Sequence, residues 1–93
     1  MPFDIWINRK RYTVGAHAAK RMIQRAISED MIIRTMEEGS INELYHSDHY
    51  EHAFYDETLH ETIVLRVVVD ERQRFIRTVI DLSDEDDTDW DVE

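Results

Sequence analysis
The chain has 93 residues, 42% of them hydrophobic, with 21 acids against 11 lysines and arginines and no cysteine. A chain of this size holds one domain and a thin core, since it buries only about 60–65% of the surface its unfolded form exposes. These figures exclude a disordered chain, disulfides, thiolate metal sites and thiol catalysis, and no run approaches the roughly 18 apolar residues of a membrane span.

Residues 1–7 include Asp4 and lack the basic-then-apolar pattern of a signal peptide, so a cytoplasmic protein is the expectation. The charge is unevenly spread. Residues 81–93 hold eight of the 21 acids and no base, leaving 13 acids against 11 bases over residues 1–80. Residues 1–25 carry six bases against Asp4 alone. A single α+β domain over residues 1–82 followed by an acidic tail over 83–93 is the organisation this predicts. Trp90 predicts that part of the tail is ordered, because a lone exposed tryptophan is an uncommon solubility device.

In chain order, Phe3–Ile7 and Tyr12–Val14 flank a polar run and read as a short strand or hairpin. From Ala16 to Ile27 the period becomes helical. Ala18, Ala19, Met22, Ile23 and Ala26 gather on one side, and His17, Lys20, Arg21, Gln24 and Arg25 on the other. Ser28 before Glu29 and Asp30 reads as the N-cap of a second helix, with Gly39 as its left-handed stop. Beyond Gly39 the period is two. Strands are expected near 40–46, from Tyr50 to Asp56, from Leu59 to Asp70 and from Arg74 to Leu82, with turns at Ser47–His49 and Asp70–Gln73. The expected architecture is α+β, an N-terminal helical pair packed on one antiparallel sheet of about four strands.

Several groups of residues could carry chemistry. His17, Arg21 and Arg25, at i, i+4 and i+8, form one slanting ridge beside the apolar side of the first helix. Two guanidiniums and an imidazole suit a scissile phosphate: the arginines offset developing charge and the histidine moves a proton near neutral pH. The same spacing also describes a solvated helix face. Lys20 on the helix and Arg66, Arg77 and Thr78 on the last two strands are candidates to extend the ridge as an RNA-binding surface. His46, His49 and His52 have ligand-type side chains around the expected turn, but the segment is polar enough to be simply exposed, and no metal site is assigned to it. Tyr45, Tyr50, Phe54 and Tyr55 could stack bases or stiffen the sheet. No phosphate loop, nucleophile elbow or H-E-x-x-H motif is present, and no cofactor is implied.

The run from His17 to Asp30, HAAKRMIQRAISED, resembles the H-A-x-x-R-M-x-x-R-x-I opening of a family of short prokaryotic domains that look like an offshoot of the RelE/ParE toxin superfamily. The resemblance continues through Glu38, Gly39 and Ile41 and ends with Ile76–Ile80 and Trp90. It implies a RelE-like fold and the chemistry of a toxin of a toxin–antitoxin system: a metal-independent endoribonuclease with His17, Arg21 and Arg25 as its site. It also implies RNA or the ribosome as target and a cognate antitoxin as partner; exposed sheet edges make a homodimer a further candidate. The rival reading is a non-catalytic interaction or regulatory module whose acidic tail mimics nucleic acid or docks a basic partner.

Overall fold
Residues 2–44 and 47–82 are described by the computed structural model. Six strands and two helices follow one another as β1 (Phe3–Ile7), β2 (Lys10–Val14), α1 (Ala16–Arg25), α2 (Glu29–Glu38), β3 (Ser40–Leu44), β4 (Ser47–Asp56), β5 (Glu61–Asp70) and β6 (Phe75–Asp81). Tyr45, His46 and the acidic segment 83–93 with Trp90 lie outside the described residues.

The strands form one sheet in the order β1-β2-β6-β5-β4-β3. All neighbours are antiparallel except β2 and β6, which run parallel with Val14 opposite Ile76. The expected architecture is therefore corrected on three points. The sheet has six strands rather than about four, it is mixed, and the helical pair follows two strands instead of opening the fold. The physical reason lies at residues 8 and 9. Asn8 and Arg9 both take positive φ, 51° and 67°, the left-handed turn that folds β1 back on β2 as a full hairpin. The outer edge of β2 then accepts the last strand, and Thr13 N–H and Gly15 N–H donate to Arg74 and Ile76 carbonyls at 2.9 and 3.1 Å.

Register assigns the two faces. Ile5 and Tyr12 pair, as do Val14 and Ile76, Ile76 and Val69, and Tyr50 and Val67. These side chains form one buried cluster with Ala18, Met22, Ile27, Ile32 and Met36 from the helices. The other face carries His49, Val68 and Thr78 in one cross-strand row and Glu51, Arg66 and Ile80 in the next.

Local chemistry explains the punctuation. Ser28 caps α2 as expected, its Oγ accepting from Met31 N–H at 3.1 Å. Gly39 is not a left-handed stop: its φ is −78°. Glycine is needed there because a Cβ would collide with the backbone carbonyls of Thr35 and Glu51. The left-handed cap belongs to Ala26 (φ 54°), where Ile27 N–H returns to Met22 O at 2.9 Å. Helix α1 thus stops short of the expected Ile27.

The turns after β4 and β5 share one device in place of glycine. An aspartate, Asp56 or Asp70, accepts two backbone N–H groups through Oδ1, and a left-handed His60 or Arg74 closes the turn. The turn expected at Ser47–His49 is instead the beginning of β4.

Candidate functional site
Helix α1 packs chiefly against β6. Strand β2 ends at Val14, level with Ile76, so β6 runs on from Arg77 past the last β2 pairing. That placement decides which side of the helix is covered. Arg21 is only 3% exposed, whereas Ile23, expected on the apolar side, is 83% exposed. The ridge lines a protein surface instead of projecting into water. His17 and Arg25 are half-buried, and His17 Nε2, Arg21 Nε and Nη2, and Arg25 Nε are shielded from solvent. Each of the three residues has an interaction partner. Lys20, by contrast, lies on the exposed flank.

A cleft of about 390 Å³ opens at the N-terminal end of the ridge, lined by Gly15, Ala16, His17, Phe75 and Arg77. Two local features shape it. The Phe75 ring lies against Gly15, where a Cβ would oblige the ring to shift. The second feature is a bulge in β6. Val69 pairs with Ile76 and Val68 with Thr78, leaving Arg77 as the extra residue between them. Bulges re-aim side chains and recur beside active sites; this one turns Arg77 to the cleft that holds His17. Phe75 and Arg77 flank Ile76 on the side away from the core cluster, so the cleft belongs to the second sheet face.

That face continues the chemistry. The Thr78 hydroxyl is buried, with no hydrogen-bond partner among the described residues. Arg66 reaches Glu51 Oε2 through Nε at 2.7 Å and Nη2 at 2.5 Å, with both side chains about three-quarters buried. His49, in the next row, is 9% exposed, and burial, reinforced by the Arg66 charge, holds its imidazole below the ordinary value. The second face thus carries Thr78, Arg66, Glu51 and His49 along β4–β6, while His17 and Arg77 meet in the cleft at the start of α1.

Sequence reasoning named most of these residues but not Glu51, Gly15 or Phe75. The only available signal was the isolated Gly15 ahead of a helix. His49 and His52 are three apart on one strand, so they face opposite sides of the sheet and cannot share an ion. His52 instead packs edge-on against Phe54, at 4.8 Å, and Arg34 sits 5.2 Å above the same ring. Tyr50 belongs to the core, while Tyr55 is exposed. Among the described residues no helix is long and apolar enough to cross a membrane.

None of the curated proteins and none of the solved structures matches this chain. A sequence-family profile does, over residues 14–87, from the end of β2 through both helices and beyond β6. The chain therefore belongs to the family described as a domain of unknown function, DUF4258.

Proposed function
We propose that the His17–Arg77 cleft binds an RNA phosphodiester and that the protein is a toxin-type endoribonuclease of the RelE/ParE kind, acting in the cytoplasm without a metal ion. The observation that carries this reading is the meeting of His17 and Arg77 in one cleft beside two further arginines. Its volume of about 390 Å³ suits one nucleotide and its phosphate. The ribose 2′-oxygen attacks its own phosphorus and the 5′-oxygen leaves, giving a 2′,3′-cyclic phosphate and a 5′-hydroxyl. His17 moves the proton, and Arg77 meets the charge developing on the phosphoryl oxygens. Arg21 and Arg25 supply positive potential from beneath. Lys20, Arg66 and Thr78 extend the RNA-binding surface, with Arg66 already oriented by Glu51. A cognate antitoxin would cover this face, the ribosome is a candidate site of action, and edge strands β1 and β3 offer a route to a homodimer.

The test is cleavage of single-stranded RNA by the purified protein with a chelator present. His17→Ala should reduce the rate about 10²–10⁴-fold, and Arg77→Ala should weaken it without altering the circular dichroism spectrum. Unchanged cleavage by His17→Ala would reject the mechanism. Arg21→Ala is a poor test, because removing a side chain that is 3% exposed also attacks folding.

A second reading is favoured by the shielding of His17 Nε2 and of the Arg21 guanidinium. Under it the protein is a non-catalytic interaction or regulatory module, and the acidic residues 83–93 mimic nucleic acid or dock a basic partner. Deleting 83–93 should then abolish partner binding. Under the nuclease reading, the same deletion leaves cleavage intact or raises it.

A further inference from the structure
The helix-covered face has an opening of its own, which shares no lining residue with the His17 cleft. It lies where the β1–β2 turn, the start of the β5–β6 turn and helix α2 converge. Its volume is about 230 Å³, and its lining includes Ile7, Lys10, Tyr12, Met36, Tyr50 and Glu71. That is below the roughly 300–1,000 Å³ of pockets for drug-sized ligands and matches a single side chain.

The chemistry centres on Glu71. The Tyr12 hydroxyl donates to both of its carboxylate oxygens, at 2.9 and 3.1 Å, and the Tyr50 hydroxyl donates to Oε1 at 2.9 Å. Both tyrosines are core residues, 4% and 8% exposed. Burial, reinforced by the hydrogen bond to Glu71, keeps their protons on; Tyr12 is pushed up to about 12 and Tyr50 is also raised. Two neutral hydroxyls therefore hold the Glu71 carboxylate in a fixed orientation.

Among the described residues, no lysine or arginine nitrogen lies within 4 Å of Glu71. A half-buried carboxylate in a pocket shared with Ile7 and Met36, hydrogen-bonded by neutral hydroxyls while the Arg74 and Asp48 charges act on the tyrosines from farther off, leaves room for a cation. Asn8 and Arg9, locked in the left-handed turn, fix the rim in advance of any ligand.

We propose that this pocket binds a primary ammonium or guanidinium on an aliphatic stem. Glu71 is the counter-ion, the Tyr12 and Tyr50 hydroxyls hold it in place, and Ile7 and Met36 take the stem. The cation comes either from a lysine or arginine side chain of a protein partner or from a free alkylamine. Lys10, which lines the same pocket, is a tethered competitor. The site is independent of the RNA cleft, so failure of either proposal leaves the other standing.

The test is an NMR titration of the full chain, following the Met36 methyl and the Tyr12 and Tyr50 rings. The probes are n-butylammonium, N-acetyl-lysine methylamide and, as ionic-strength control, potassium chloride. Saturable shifts in the millimolar range with the amines but not with potassium are expected. Tighter binding of the alkylamine identifies a free amine as the ligand; tighter binding of the lysine derivative identifies a protein side chain. Glu71→Gln should weaken binding at least tenfold, and Lys10→Gln should tighten it. Should Glu71→Gln fail to fold, Lys10→Gln and Tyr50→Phe carry the test. No saturable shift, equal shifts in Glu71→Gln, or no effect of Lys10→Gln would overturn the proposal.

Discussion

The two faces of the sheet are built on opposite rules. On the helix-covered face, Leu65, Val67, Val69, Ile76 and Val79 are completely buried and meet apolar helix residues, and the Glu71 carboxylate is satisfied by two tyrosines. On the other face, Val68 and Ile80 are buried too, yet they share their rows with His49, Glu51, Arg66 and a buried Thr78 hydroxyl. Burying polar groups costs free energy unless each is fully hydrogen-bonded. A face that leaves a buried hydroxyl without a partner among the described residues is where selection for something other than stability is expected. The first face holds most of the core, and the second is the one on which the proposed RNA chemistry rests.

Substitutions on each face can break or sharpen that contrast. The largest effect belongs to the first face: Leu65→Ala removes a completely buried side chain and should cost about 2–5 kcal/mol in denaturant unfolding. A stability loss below 1 kcal/mol would mean that the helix layer is not the core.

On the second face the sign reverses. Thr78→Val keeps the shape and removes a buried hydroxyl that has no partner among the described residues, so it should stabilise by about 1 kcal/mol. If Thr78 serves the RNA site, the same variant loses activity as it gains stability, the trade-off expected of a functional position. Ala26→Gly, between helices and away from both faces, should stabilise by about 1 kcal/mol, because alanine is held at φ 54°. It should leave activity unchanged.

The smallest effect is in pH. Folding holds the His49 imidazole below its unfolded value of about 6.5, so the folded chain binds fewer protons than the unfolded one in that region. The contribution of His49 is fully present above pH 6.5 and is lost as the pH falls through the depressed value. The slope of stability against pH below 6.5 should flatten in His49→Gln, measured by urea unfolding across that range.

Local signals were legible in the sequence and non-local ones were not. The Ser28 cap, the break between the helices and the long β5 strand follow from side-chain chemistry within a few residues. The parallel pairing of β2 with β6 joins residues about 60 positions apart and leaves no local trace. Because that pairing stops at Val14, α1 is left against the remainder of β6, which is why Arg21 is buried and Ile23 is not. Helical periodicity tells which residues share a side, but not which side meets a strand. The His17–Arg21–Arg25 ridge could thus be read from spacing, while Arg77 enters the cleft through a bulge that only the register reveals.

The central claim is that His17 and Arg77 cut RNA from the second face. Inducible expression of the wild type and of the His17→Ala, Arg77→Ala double variant, followed by mapping of RNA 5′ ends and growth, tests it most directly. The account predicts growth arrest and new 5′-hydroxyl ends with the wild type alone. New ends of equal abundance with the variant, or none with either protein, would contradict it.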